Sequence, residues 1–326
     1  MRLSRYALAL AVAILLAGAW PGECWAQAKV PRVGILLLSE ATKTQAWHST
    51  FTQGLIERGW APGKKVALEY RFASGKSMRF DDGAEELVRL KVDVIMAFSA
   101  PAARAAYAAT ATIPIVTMDY TNDPVAAGYA ESYSRPGKNL TGVFLDAPDF
   151  AGKWMELLKA IVPGLQRVAI LWDPAPGTTH LKAVQRAAQP LGLHLEVHEV
   201  RVPDDIDKAF SAFRGRPQAL LILPSPMTFT HFAQLADLAL KYRLPATSFG
   251  RGFAEAGGAI SYGPDITETV QRNAIQVAKI LDGTKPGDLP VERPTKFNLV
   301  VNLKTAKVLG LTISESVLLR ADEVIR

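Results

Sequence analysis

His194 and His198 stand four apart, the spacing at which two imidazoles on one helical face can share a metal ion. Leu193, Leu195 and Val197 alternate with them, however, so the segment reads as a strand with a polar outer face, and no cysteine lies near to complete a ligand set. Ser74-Gly75-Lys76-Ser77 has the ending of a phosphate loop, but the earlier glycine that such a loop needs is replaced by Tyr70, and the backbone cradle is incomplete. Gly250-Arg251-Gly252 opens like a dinucleotide fingerprint whose third glycine position is Glu255, and reads as a flexible turn. The chain has no Gly-x-Ser-x-Gly elbow, and the other histidines, His48, His180 and His231, lie near no serine or cysteine nucleophile motif. Asp81-Asp82 and Asp204-Asp205 fall in the first turns of expected helices, where the helix dipole accounts for them. These residues point to no metal, no cofactor and no catalytic constellation.

The chain of 326 residues is 49% hydrophobic and 21% charged, too apolar for disorder and long enough for two lobes. Its formal charge of +6 is spread among 31 acids without a basic block, which does not imply nucleic acid. Arg2 and Arg5, the apolar run 7–19, the break at Pro21-Gly22 and Ala26-Gln27-Ala28 have the pattern of a secretory signal cut after Ala28. A lipoprotein signal built on Cys24 is the weaker reading, because Pro21-Gly22-Glu23 lacks the small and apolar residues it requires. With Cys24 removed, the mature chain would hold no disulfide.

From Val33 onward short apolar runs alternate with amphipathic stretches, the signature of parallel sheets covered by helices. Buried strands are expected at 33–38, 92–98, 113–118, 168–172, 219–223 and 259–262. Helices are expected around 43–58, 79–90, 101–110, 149–161, 179–190, 204–214, 228–242 and 266–282. The order then repeats: Arg32-Val33-Gly34-Ile35-Leu36 is echoed by Arg167-Val168-Ala169-Ile170-Leu171, the run from Asp93 by that from Gln218, and Ile113-Pro114-Ile115-Val116 by Leu244-Pro245-Ala246-Thr247. Offsets of 135, 125 and 131 residues mean two copies of one doubly wound unit. Ligands of such sheets sit beyond the carboxyl ends of the strands, so two lobes facing each other there enclose a cleft. The residues overrunning those strands are Ser39, Ser99, Ala100, Asp119, Tyr120, Asp173, Ser225 and Phe249, with Tyr262 and Asp265 at the last strand.

Several ordered blocks also carry a resemblance. Ile113-Pro114-Ile115-Val116, Asp123-Pro124-Val125 and Arg135-Pro136-Gly137-Lys138-Asn139-Leu140-Thr141-Gly142 are followed by Glu255-Ala256-Gly257-Gly258, Ser261-Tyr262-Gly263-Pro264-Asp265, Pro294-Thr295-Lys296-Phe297 and Asn302-Leu303-Lys304-Thr305-Ala306. Together they resemble the ABC-transporter substrate-binding proteins of the family that includes tryptophan and tyrosine uptake components. The resemblance implies an α/β type I periplasmic binding protein: two Rossmann-like doubly wound lobes joined by three crossover segments. On this plan 1–28 is the signal peptide, 29–143 with 265–292 form the N-terminal lobe, and 144–264 with 293–326 the C-terminal lobe. It further implies a periplasmic, non-catalytic, monomeric protein that hands a small solute to an ABC permease of the inner membrane. A protein serving a sensor or chemotaxis receptor would use the same cleft, and an exported α/β enzyme is the alternative of a different class. Where the family has small residues, this chain carries Met118-Asp119-Tyr120-Thr121-Asn122.

A zwitterionic ligand needs an acceptor for its ammonium and donors for its carboxylate. Ser99 and Ala100, at a helix start, are the expected carboxylate site, although Ser99 also suits a plain N-cap. Asp119, Asp173 and Asp265 are the candidate ammonium acceptors, the last two also suited to a turn and a cap. Tyr120, Trp172, Phe249 and Tyr262 are expected to enclose an aromatic or branched side chain, with lobe core as the alternative, above all for Trp172.

Overall fold

The computed structural model describes residues 30–38, 46–73, 79–145, 148–213 and 216–326. The apolar runs become the middles of two sheets. In the first, β1 (Arg32–Leu37), β2 (Ala67–Phe72), β3 (Val94–Ala97), β4 (Ile115–Asp119) and β5 (Leu140–Phe144) lie in the order β2-β1-β3-β4-β5, every pair parallel. In the second, β6 (Arg167–Trp172), β7 (His194–Glu199), β8 (Ala219–Ile222), β9 (Ala246–Ser248) and β10 (Ile260–Pro264) repeat that order as β7-β6-β8-β9-β10. It continues through an antiparallel β11 (Phe297–Asn302) to β12 (Glu323–Ile325). Two copies of one strand order are what the sequence offsets predict. In each copy the order reverses between the first and third strands, the switch point at which doubly wound sheets bind ligands.

Burial explains which runs are legible. Val33–Leu37, β3 and β8 are buried throughout, as strands covered on both faces must be, whereas β2 and β7 are half-buried edges whose patterns are mixed. The expected strand through His194 and His198 is β7. His198 pairs with Glu196 at 2.9 Å, and no group of three metal-ligating side chains occurs among the described residues.

The first sheet carries α1 (Ala46–Glu57), α2 (Phe80–Arg89) and α3 (Ala100–Ala109); the second carries α4 (Pro148–Ile161), α5 (Thr179–Ala188) and α6 (Asp204–Ser211). The helix expected at 228–242 is two helices, α7 (Pro226–Thr230) and α8 (Phe232–Lys241). They break at His231, whose backbone leaves helical geometry and whose Nδ1–H donates to Met227 O at 2.8 Å. A short α9 (Arg251–Glu255) follows β9, then α10 (Ile266–Leu281), α11 (Leu303–Leu309) and α12 (Glu315–Leu318).

The chain passes between the sheets three times. It leaves the first after β5 and returns after β10 with α10, whose Val270, Ala274 and Val277 join Phe51 and Leu55 in the first core. Gly54 permits this approach, since a Cβ there would stand 2.7 Å from that of Ala274. Residues 289–292 then run beside β5, with Phe144 N–H donating to Glu292 O and Glu292 N–H to Gly142 O, both at 2.9 Å, before the chain re-enters the second sheet at β11. Gly142 has φ +148 and packs so closely on β4 that a Cβ would meet Thr117 O at 2.1 Å. That contact fixes the residue type at the end of the Asn139-Leu140-Thr141-Gly142 block. The crossings are braced: Asp265 N–H donates to Lys296 O at 2.9 Å, and the Glu268 carboxylate accepts from Thr295 Oγ1 at 2.6 Å, Arg272 Nη2 at 2.8 Å and Lys296 N–H at 3.1 Å.

Candidate ligand-binding cleft

Between the carboxyl ends of the two sheets lies a cavity of about 460 Å³. The first lobe contributes Leu37 and Leu38 from the end of β1, Phe98 to Pro101 from the end of β3, and Met118, Tyr120 and Thr121 from the end of β4. The second answers with Pro224 to Pro226 after β8, Gly250 to Gly252 after β9 and Pro264 after β10. Asp265, Ile266 and Thr267 open α10 at the crossing.

Most of this wall is apolar. Trp47 packs on Phe98 with ring centroids 4.3 Å apart and planes tilted by 42° on one side, and Phe229 meets Phe232 at 5.1 Å on the other. Pro101 and Pro226 occupy first-turn positions of α3 and α7, which stiffens both corners and removes a backbone donor from each. Ser99 caps α3, its Oγ accepting from Ala102 N–H at 3.3 Å, with its backbone at φ +153 and ψ 163. That conformation belongs to glycine, and a serine held in it beside a cleft carries strain that the surrounding structure must offset. Ser225 caps α7 reciprocally: its Oγ accepts from Thr228 N–H at 3.0 Å and its N–H donates to Thr228 Oγ1 at 2.9 Å. Asp265 caps α10, its Oδ1 accepting from Glu268 N–H at 3.1 Å.

The lobes also touch beside the cavity. His180 of α5 is buried and its Nε2–H donates to Tyr120 O at 2.8 Å. Burial pushes the imidazole down to about 4, against the upward pull of that bond, so His180 is neutral. The Tyr120 ring lies 5.2 Å from Phe249, and burial holds its phenol well above the usual range.

A family model described as ABC transporter substrate binding protein matches residues 32–325. The chain belongs to that family. A tyrosine-binding protein of Clostridioides difficile strain R20291 is 23% identical to this substrate-binding protein over 287 residues, covering 87% of this chain and 82% of the relative. A conserved domain protein of Vibrio cholerae is 27% identical with a TM-score of 0.83, covering 91% of this chain and all (100%) of that structure. An ABC domain of Streptococcus pneumoniae in complex with L-Trp is 24% identical with a TM-score of 0.81, covering 90% of this chain and 99% of the other. The shared fold is the two-lobed α/β architecture of type I periplasmic binding proteins.

In this substrate-binding protein Ser99, Ala100, Tyr120, Ser225 and Asp265 stand on the cavity wall. Ser39 lies outside the described residues. Four further candidates, Asp119, Asp173, Phe249 and Tyr262, do not line the cavity. Asp119 is fully buried and spent on its own turn: Oδ1 accepts from Thr121 N–H at 2.9 Å, Thr121 Oγ1 at 2.8 Å and Asn122 N–H at 3.2 Å, and Oδ2 from Asn122 Nδ2 at 2.7 Å. Burial raises its pKa against the pull of those four donors. Asp173 is buried behind Ser225 and accepts from Ala175 N–H at 2.9 Å, its carboxyl also raised by burial. Phe249 has no exposed surface and backs the wall from the core, between Tyr120 and Phe150. Tyr262 turns away to pack on Phe150 at 5.7 Å and Phe297 at 6.1 Å.

The wall also holds residues that strand-end reasoning missed: Trp47, Phe229 and Phe232 on helices, and Arg251 and Glu255 on α9. Arg251 pairs with Glu255 and with Glu323 of β12, at 2.6 Å in each case. The signal for these two is the Gly250-Arg251-Gly252 segment itself, where Gly250, at φ +83, caps the start of α9 on the cavity wall.

Proposed function

We propose that the cleft captures a small carboxylated solute with an apolar body, an aromatic or branched amino acid, outside the cytoplasm and delivers it to the permease of an ABC importer. The observation that carries this reading is the interlobe cavity of about 460 Å³, walled by strand-end residues of both sheets and by two aromatic pairs. Family membership supports the importer, and the tyrosine-binding relative and the L-Trp complex support the ligand class. The sequence pattern over 1–28 supports export. Ser99 Oγ and Ala100 N–H are the groups proposed to meet the carboxylate, and Asp265 the ammonium. The ligand touches both lobes only when they close, so differential affinity holds the closed form that a permease reads.

Calorimetric titration of the purified protein with the standard amino acids tests the reading. At least one aromatic or branched member should bind saturably, without turnover, at a dissociation constant near micromolar, about 8 kcal/mol. A protein that binds none of them, or that converts one to product, refutes it.

A further inference from the structure

Among the described residues His180 is the one buried histidine, 4% exposed, and it lies off the cavity wall. It stands in the first turn of α5 in the second lobe, and its Nε2–H reaches Tyr120 O of the first lobe at 2.8 Å. The acceptor is held in place by its neighbours, since Thr121 N–H and Asn122 N–H both fold back onto Asp119 Oδ1 and the Tyr120 ring rests on Phe249. Trp154 of α4 closes in the imidazole at 5.9 Å, and Nδ1 has no hydrogen-bond partner among the described residues. A proton added to Nδ1 would therefore create a buried cation with an unsatisfied donor, in a first turn whose dipole opposes positive charge. The interlobe bond favours the neutral ring.

Among the described residues no charged side chain offsets that cost. On the β4 turn the Asp119 carboxylate is engaged by Thr121 and Asn122, and beyond β6 Asp173 accepts from Ala175 N–H. On α4 Lys153 and Glu156 pair with each other at 3.7 Å, and on α5 Lys182 and Arg186 are exposed. The proton affinity of His180 answers to burial first and to the Tyr120 carbonyl second.

Resting on the reading above, in which the ligand touches both lobes only when they close, we propose that His180 is a proton-sensitive latch: closed lobes exclude a proton from it, parted lobes admit one, and acid therefore releases the ligand. The sign follows from linkage. Where closure lowers a group's proton affinity, binding is unaffected while both forms are neutral and weakens as pH falls below the value of the open form, about 6.5 for a solvated imidazole. Carboxyls that burial raises, such as Asp119 and Asp173, act in the opposite sense, because acid would favour whichever form buries them more deeply.

The probe is the tightest binder among L-tryptophan, L-tyrosine, L-phenylalanine, L-leucine, L-isoleucine and L-valine, titrated calorimetrically into the full protein. Its affinity should fall by about tenfold or more between about pH 7.5 and about pH 5. In buffers of different ionisation enthalpy, binding at about pH 6 should release about half a proton or more, and at about pH 8 almost none. His180→Gln keeps an N–H for Tyr120 O and cannot gain charge, so in this variant the pH effect should shrink to about twofold or less and the proton release should vanish. If the variant does not fold, proton release by the parent decides. Equal affinity at both pH values, a proton taken up rather than released, or an acid effect that persists in His180→Gln overturns the latch and leaves the amino-acid reading standing. Binding of none of the six defeats that reading, and the latch with it.

Discussion

The corners β3–α3 and β8–α7 are the same device used twice, and they have diverged in what their serines are free to do. Each follows the third strand of its lobe, each places a serine at the N-cap and a proline in the first turn, and each faces the cavity. Ser225 is 3% exposed and locked with Thr228, whose hydroxyl also lies 3.1 Å from Leu223 O. Its backbone, at φ −154, is ordinary extended chain. Ser99 makes one weaker cap bond of 3.3 Å, is half-buried, and sits at φ +153. One corner is a finished structural bracket, whereas the other tolerates a strained backbone to present a hydroxyl with its proton still to give. Strain kept on the cleft side of one copy and absent from the other supports the proposal that Ser99 is the corner that serves the ligand.

The largest effect that can break this contrast is at the bracket. Thr228→Val removes the acceptor of Ser225 N–H inside a fully buried corner, and should cost about 2–3 kcal/mol of stability, read as a lowered denaturation midpoint. Affinity, measured well below the new melting point, should change little. A large loss of affinity without loss of stability would show that the second corner, too, serves the ligand. Ser99→Gly should do the reverse. Glycine caps a helix nearly as well and relieves the backbone, so the free protein should gain up to about 1 kcal/mol, while loss of the hydroxyl weakens amino-acid binding by about tenfold. If the glycine variant is destabilised and binds normally, Ser99 is only a cap.

The same contrast shows what the sequence can and cannot disclose. Strand ends were legible because both-sided burial writes unbroken apolar runs such as Val94–Ala97 and Ala219–Ile222, and the rule for doubly wound sheets then selects Ser99, Ala100, Ser225 and Asp265. The edge strands β2 and β7 are harder to read because half-burial mixes their patterns. Asp119 misled for a different reason. It occupies a strand end, but Thr121 and Asn122 supply every donor it needs, and a carboxylate satisfied within three residues has no cause to face a ligand. Conversely Trp47, Phe229 and Phe232 reach the cavity from helices, where an aromatic residue reads first as core, and only the packing of α1, α7 and α8 over the strand ends reveals which ring faces inward.

The smallest effect concerns what lies behind the two corners. Ser225 has the buried carboxyl of Asp173 at its back, and burial raises that carboxyl while Ala175 N–H and the Ser225 hydroxyl pull it down. A carboxyl with a raised pKa holds its proton more tightly in the folded than in the unfolded chain. It therefore costs nothing when both states are protonated, and it subtracts stability progressively as pH climbs past the unfolded value toward the folded one. Asp173→Asn keeps an acceptor for Ala175 N–H and removes the ionisation. Its melting temperature should match the parent at about pH 3, below both values, and exceed it slightly at about pH 7. A variant less stable than the parent at neutral pH would mean that the ionised carboxylate itself holds Ser225 in place. The second corner would then rest on a charge, and the comparison would have to be drawn between a strained hydroxyl and an electrostatic one.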